Sequence, residues 1–255
     1  MSDWPSVWLL FVTHKRTEAA CSTIRAFGKY LVYPNLHYHI CDDGSGEADD
    51  GSGRPHIEVL AEEFAKFAPD VTWHEMSTPR GHFDFGGNIN RGIRTAIENG
   101  ADIQMVNVDD MELLRELDIR PYVDVLDVYP QVGFIRLSWV TPGISGVCVR
   151  YDANRLSHCH MWLRLIRSWS TNNPWETDSF MLSMQPFIAH KRFYEAYGYF
   201  PEKVNPGITE TEMTGGYIRH SLGENGPQIL HHIGPCCDHA PYGHMVGRAN
   251  DYARV

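Results

Sequence analysis

Residues 7–14, VWLLFVTH, form an apolar run that breaks into polar residues, and the apolar positions after it, Ala20, Ile24, Phe27 and Leu31, are spaced 4, 3 and 4. Such a run predicts a short buried strand, and such a spacing predicts one face of a helix. The unit recurs. HYHICDDGSG runs from a strand-like stretch into carboxylates and glycines, and Ile57, Leu60, Ala61, Phe64 and Ala68 follow on a second helical stripe. VTWHE predicts a third strand, GGNINRGIRTAIENG carries Ile89, Ile93, Ala96 and Ile97 on a third helical stripe, and DIQMVNV predicts a fourth strand. Strands alternating with helices predict a mostly parallel sheet covered on both faces. Beyond Asp110 the pattern changes. Val132 to Leu137 and Gly146 to Arg150 read as strands, whereas HMWLRLIRSWSTNNPW has no clean period, which predicts a mixed sheet with long loops. The Gly/Asp/Ser-rich stretch from Gly44 to Gly53 is the one candidate linker. The economical reading is one domain over residues 1–255, with residues 1–115 as one half and 116–255 as the other.

Composition narrows the function classes. A net charge of −10 argues against nonspecific coating of nucleic acid or an acidic membrane. The early apolar run from Val7 to Val12 is too short to span a bilayer and has no basic leader, so the chain is expected in the cytoplasm without a membrane partner. Its six cysteines show no CxxC spacing, which favours reduced thiols over a disulfide framework.

In parallel α/β sheets, ligands bind beyond the carboxyl ends of the strands. Thr13, Asp42, Asp43, Asp109 and Asp110 all fall at that predicted edge. The segment IQMVNVDDMELL is unusual because a buried strand ends on two adjacent acids, which repel each other and are costly to desolvate. Hard oxygen ligands at a strand end suit Mg²⁺ or Mn²⁺; the alternative is a solvated helix N-terminus, where acids are also favoured. A carboxylate in DDGS can accept from a base N–H or from ribose hydroxyls; the alternative is an ordinary Asp-Gly turn. Arg91 and Arg94 are candidates for phosphate contact, with exposure on a polar helix face as the alternative. Trp162, Trp169 and Trp175 are candidates for a stacking surface, or else core. His231, His232, Cys236, Cys237, Asp238 and His239 read as a zinc cluster, although adjacent cysteines rarely close one tetrahedral site.

Taken in order, THKR, CDDGSG, GGNINRGIRTA and VNVDDMEL resemble the nucleotide-sugar-binding half of GT-A glycosyltransferases, close to family two, over the first 115 residues. The resemblance implies an α/β GT-A fold: a Rossmann-like, mostly parallel sheet flanked by helices, with a mixed acceptor half. It implies a metal-dependent hexosyl- or pentosyltransferase that uses Mn²⁺ or Mg²⁺ to move sugar from a nucleotide-diphospho-sugar donor to an acceptor hydroxyl. Thr13 and Asp42 would then hold the nucleoside with Asp43 nearby, and Asp109 and Asp110 would serve the metal and diphosphate. One departure stands out: the family's spaced acidic pair calls for an acid at position 107 or 108, where this chain has Asn107 and Val108. In the second half, AHKRFYEAYGYFPE followed by GITETEM resembles the segment that supplies a general base. Glu210 is the candidate there and Glu212 the reserve, while Thr209 and Glu212 also have the spacing of a capping box. ILHHIGP resembles a strand end that supplies a further metal contact, through His232. The acceptor class is open to a small glycoside, a protein or a hydroxymethylated DNA base of the kind that phage enzymes modify. The competing classes are a nucleotidyltransferase, which usually has a glycine-rich phosphate loop that VTHKRTEAA lacks, and a noncatalytic nucleotide-binding module.

Overall fold

The computed structural model describes residues 4–76, 84–137, 147–152, 155–156, 160–165, 186–204, 208–209, 211–213, 227–232 and 237–239. The first half runs β1 (Val7–Thr13), α1 (Thr17–Tyr30), β2 (Leu31–Val32), β3 (Leu36–Asp42), α2 (His56–Ala65), β4 (Thr72–Glu75), α3 (Phe85–Glu98) and β5 (Ile103–Val108). After it come β6 (Met111–Leu113), β7 (Leu117–Asp118), α4 (Arg120–Val128), β8 (Val132–Arg136), β9 (Val147–Asp152), β10 (His160–Leu165), β11 (Phe187–His190), α5 (Lys191–Tyr197), β12 (Gln228–His232) and β13 (Cys237–His239).

Among the described residues the main sheet has nine strands in the order β4-β3-β1-β5-β11-β8-β12-β10-β9. The first four are mutually parallel. β11 is antiparallel to both β5 and β8, and β12 is parallel to β8, so β8 and β12 run in the same direction as β5. The carboxyl ends of β1, β3, β4, β5, β8 and β12 therefore share one edge.

Period-two alternation explains why β1 is buried throughout. Val7, Leu9 and Phe11 pack with Ile24 and Phe27 of α1 and Leu60 and Phe64 of α2, while Trp8, Leu10 and Val12 pack with Ile89, Ile93 and Ala96 of α3 on the other face. Phe11 meets Phe27 and Phe64 edge-on, at centroid distances of 6.0 and 5.6 Å. Each such side chain contributes about 1.5–3 kcal/mol by leaving water, so the sheet is clamped from both sides.

Three details differ from the sequence reading. Leu31 belongs to β2, where it pairs with Leu117 of β7, and Ala68 lies past the end of α2 with its N–H still bonded to Phe64 O (2.8 Å). HMWLRL is the strand β10, paired on one side with β9 and on the other with β12; two partners fix its register where its periodicity does not. Gly44–Gly53 is no linker. Gly44, Gly46, Gly51 and Gly53 take positive φ, and the loop closes on itself through Ala48 N–H to Arg54 O (2.8 Å) and His56 N–H to Gly46 O (2.8 Å).

Gly86 opens α3 against the chain at Pro201, and a Cβ there would overlap the Pro201 carbonyl oxygen. A backbone carbonyl cannot rotate out of the way, so the overpacking cost of about 1–3 kcal/mol outweighs the gain of up to about 1 kcal/mol in helix propensity. Gly86→Ala is expected to lower the urea midpoint. An unchanged or raised midpoint would show that the 198–202 segment can move away from α3.

Candidate active site

Asp109 sits where β5 meets the end of β1, 1% exposed, with Asp110 beside it at 5%. Its backbone is held by the bond from its own N–H to Val12 O (3.0 Å) and by the Thr23 hydroxyl, which donates to its carbonyl at 2.8 Å. One carboxylate oxygen accepts from the Thr13 hydroxyl (3.1 Å) and the His14 N–H (3.2 Å). The other meets the Arg16 guanidinium, whose second nitrogen reaches Asp110 at 2.7 Å. One cation thus bridges two buried acids.

Placing that guanidinium takes an unusual backbone. Lys15 and Arg16 both have left-handed φ (54° and 56°), a conformation that costs an L-residue roughly 1–2 kcal/mol. The turn leaves α1 without a cap of its own, and Asp49 supplies one from the glycine-rich loop, accepting from Arg16 N–H (3.2 Å) and Thr17 N–H (2.7 Å). His56 fills the space beneath. With Thr13 donating to Asp109, the Thr13 oxygen accepts from His56 Nε2 (3.0 Å), and His56 Nδ1 accepts from the Thr17 hydroxyl (2.9 Å). The ring is therefore neutral, and burial lowers its pKa to about 4.

Two carboxylates share this one guanidinium in a buried site. Burial pushes the Asp109 carboxyl up, Arg16 pulls it back, and Asp110 adds to the rise. The oxygen donors fit a hard divalent cation, and Arg16 already stands in as the cation that the pair collects. Asn107, where the resemblance calls for an acid, instead donates its amide to the carbonyls of Val108 (2.7 Å) and Met111 (3.1 Å), tying down the turn that carries the pair.

At the end of β3, paired with Thr13, Asp42 is 1% exposed and folds onto its own turn, accepting from the Ser45 N–H (3.0 Å) and the Ser45 hydroxyl. Burial raises its pKa to about 6 against the pull of those bonds. Ser45 in turn accepts from Lys15 N–H (2.7 Å), and His14 Nδ1 donates to the Asp43 carbonyl (2.9 Å). The turn reading of DDGS is thus realised, and the same turn stitches the ends of β1 and β3 together.

The structure brings Thr13, Asp42, Asp43, Asp109 and Asp110 together. It does not bring Arg91 to the acid pair. Arg91 is exposed on α3, its guanidinium 3.5 Å from the Glu75 carbonyl at the end of β4. Arg94 faces Glu202 (3.4 Å) and the Tyr199 ring (4.6 Å), which leaves it on the polar face. His232 ends β12 at the correct edge but three strands from β5, roughly 14 Å across the sheet. Among the zinc-cluster candidates, His231 and His232 lie on β12, whereas Cys237, Asp238 and His239 form β13, paired with β6 in a separate two-stranded sheet. Glu212 is exposed, and Thr209 is buried with its hydroxyl 3.4 Å from the Pro201 carbonyl. Trp162 lies on β10 opposite Arg150. Glu210, Trp169, Trp175 and Cys236 lie outside the described residues.

Sequence reasoning missed Arg16, Ser45, Asp49 and His56, and it read His239 only as part of a zinc cluster. Arg16 lies within the THKR motif, so its charge was visible but not its target. His239 stands opposite Met111, one residue beyond Asp110, so β13 returns to the acid pair from the far end of the chain. Nothing local in the sequence announces that pairing.

Solved structures share this architecture. TarS 1-349 from S. aureus superposes with a TM-score of 0.54 at 11% identity, covering 89% of this chain and 60% of that one. The same fragment in complex with UDP-GlcNAc gives a TM-score of 0.54 at 12% identity over 91% and 60%. Glucosyl-3-phosphoglycerate synthase from Mycobacterium tuberculosis, in complex with Mn²⁺, UDP and glucosyl-3-phosphoglycerate, gives 0.53 at 14% identity over 98% and 76%. The chain thus spans 60% of the length of TarS 1-349. No family model and no curated protein matches the sequence. The likeness establishes the fold: an α/β, GT-A, Rossmann-like sheet, mostly parallel in its first half and mixed in its second.

The His56 site generates a pH prediction. The unfolded chain binds a proton on this ring near pH 6.5 and the folded chain only near pH 4. Its contribution is therefore complete above about pH 6.5 and is lost as pH falls toward 4, by at most about 1.4 kcal/mol per pH unit. Urea unfolding of wild type and His56→Gln at pH 7.5, 6 and 5 should give a shallower pH slope in the variant. Equal slopes would mean that the ring is not held neutral.

Proposed function

We propose that the protein is a glycosyltransferase that moves a hexosyl or pentosyl group from a UDP-sugar to an acceptor hydroxyl, assisted by Mn²⁺ or Mg²⁺. The observation that carries this reading is the buried acid pair bridged by Arg16, set on the same strand edge as Thr13 and Asp42. UDP as the donor nucleotide is supported by the fold likeness to TarS and to the M. tuberculosis synthase, solved with UDP-GlcNAc and with UDP and Mn²⁺ respectively. In this reading residues 1–115 bind the donor and residues 116–255 the acceptor.

Thr13, Asp42 and Asp43 take the nucleoside, with Arg91 at the β4 corner as a further donor contact. Asp109 and Asp110 would hold the divalent ion, with His232 or His239 as a further ligand; bound there, the ion compensates charge on the departing diphosphate. Arg16 has a second use at the same moment, because a guanidinium beside the acid pair is within a side-chain swing of an incoming phosphate. Thr13 and the His14 N–H keep Asp109 oriented while Arg16 moves. Glu210, with Glu212 in reserve, accepts the proton of the acceptor hydroxyl as the new C–O bond forms at the anomeric carbon and the bond to the diphosphate breaks, with inversion. No helix among the described residues is long and apolar enough to cross a membrane, and we take the site of action to be the cytoplasm. With a net charge of −10, small glycosides and protein hydroxyls precede a hydroxymethylated, phage-type DNA base as acceptors.

Mass spectrometry of products from a panel of nucleotide sugars against these three acceptor classes tests the proposal. Wild type should form a glycosylated product of inverted configuration, and Glu210→Gln should lower turnover by about two to four orders of magnitude with donor affinity kept. Absence of product with every donor would sink the transferase reading. Full activity of Glu210→Gln, or a retained anomer, would remove Glu210 from its role.

A further inference from the structure

Behind the donor edge lies a second cluster that the transferase chemistry does not use. In the parallel ladder of β3 and β4, Cys41 stands opposite His74 and His39 opposite Thr72. His39 and Cys41 are two apart and so share a face, and with His74 they are buried at 2%, 0% and 7% exposure. One ligand-capable atom from each of the three lies within 4.8 Å of the others, and His39 Nε2 is 2.9 Å from His74 Nδ1.

The surroundings are arranged as for a metal. The far nitrogen of His39 is fixed on the Thr72 hydroxyl (2.7 Å) and that of His74 on the Asn88 side-chain oxygen (2.8 Å), while Asn88 donates its amide to the Cys41 carbonyl (2.9 Å). Anchoring of the outer ring nitrogens on Thr72 and Asn88 is the pattern that orients metal-bound histidines, and here the two inner nitrogens face each other beside the Cys41 thiol. α3 makes room for the thiol. Gly92, one turn from Asn88, is the residue against which Cys41 Sγ packs, and a Cβ there would stand 2.7 Å from the sulfur.

We propose that His39, Cys41 and His74 form a Zn²⁺ site, separate from the carboxylate edge. Two imidazoles and a thiolate are a borderline-soft donor set that suits zinc and is poorly matched to the hard ions that Asp109 and Asp110 suit. Binding exchanges the N–H···N bond between the rings for two metal–nitrogen bonds. His39 keeps its proton by moving it to Nδ1, toward Thr72, and the Cys41 thiol releases one proton to solvent. A water or a further donor completes the tetrahedron. The ion ties the edge strand β4 to β3 one residue before Asp42, so it stiffens the turn that carries that aspartate.

Cobalt and zinc titrations of the full chain, stripped with a chelator and dialysed, provide the test. One equivalent of Co²⁺ should produce a near-ultraviolet thiolate-to-cobalt band that Zn²⁺ displaces, and the band should vanish in Cys41→Ser and in His74→Gln. Zinc K-edge absorption on the wild type keeps the test independent of whether those variants fold. The expected shell is one sulfur near about 2.3 Å and nitrogens near about 2.0 Å. No thiolate band, its survival in both variants, a shell without sulfur, or a shell of two sulfurs that points to Cys236 and Cys237 would each overturn the proposal.

Discussion

Two carboxylates cannot be buried at a strand end without a counter-charge, and the guanidinium of Arg16 supplies one between Asp109 and Asp110. Leaving such acids uncompensated costs several kcal/mol, more than the strain in the turn that prevents it. That constraint propagates. Arg16 and Lys15 adopt left-handed φ to direct the side chain inward, α1 then begins without its own cap, and Asp49 comes from the β3–α2 loop to cap it. The glycines of that loop let it fold back, and His56 fills the gap between Thr13 and Thr17. The ends of β1, β3 and β5 are thus one hydrogen-bonded unit built around a single ion pair.

The elements of the parallel half were legible because their signals are local. Alternation along β1 and the stripes Ala20/Ile24/Phe27 and Ile89/Ile93/Ala96 each lie within one turn or one strand, and the described core follows them. Placement of Thr13, Asp42 and Asp109 at one edge followed from topology alone, since every parallel strand delivers its carboxyl end to the same side. What the sequence withheld was long-range. Arg16 and Asp109 are far apart in the chain, and nothing in THKR says which residue its arginine will meet. The same holds for β13 against β6, for β11 inserted antiparallel between β5 and β8, and for the caps that turn Gly44–Gly53 from an apparent linker into part of the site.

Two kinds of polar burial coexist in the parallel half and differ in what they can accommodate. The Asp109–Asp110–Arg16 group is an ionic cluster of hard oxygen donors around one guanidinium. The His39–His74–Asn88 chain is neutral, with each ring nitrogen given a partner. It suits an ion that can replace a proton between two imidazoles and recruit a thiolate. Asp42 lies between the two groups, one residue from Cys41 and paired in register with Thr13, so the edge where a donor would sit is braced from both sides.

The central claim is that the acid pair is a cation site which Arg16 fills at rest. Thermal unfolding of wild type and Arg16→Gln, each with EDTA and with Mn²⁺, tests it most directly. The account predicts a variant destabilised by about 3–5 kcal/mol in EDTA that recovers a larger share of its stability with Mn²⁺ than wild type gains. A variant as stable as wild type in EDTA, or a loss that Mn²⁺ leaves unchanged, would contradict it.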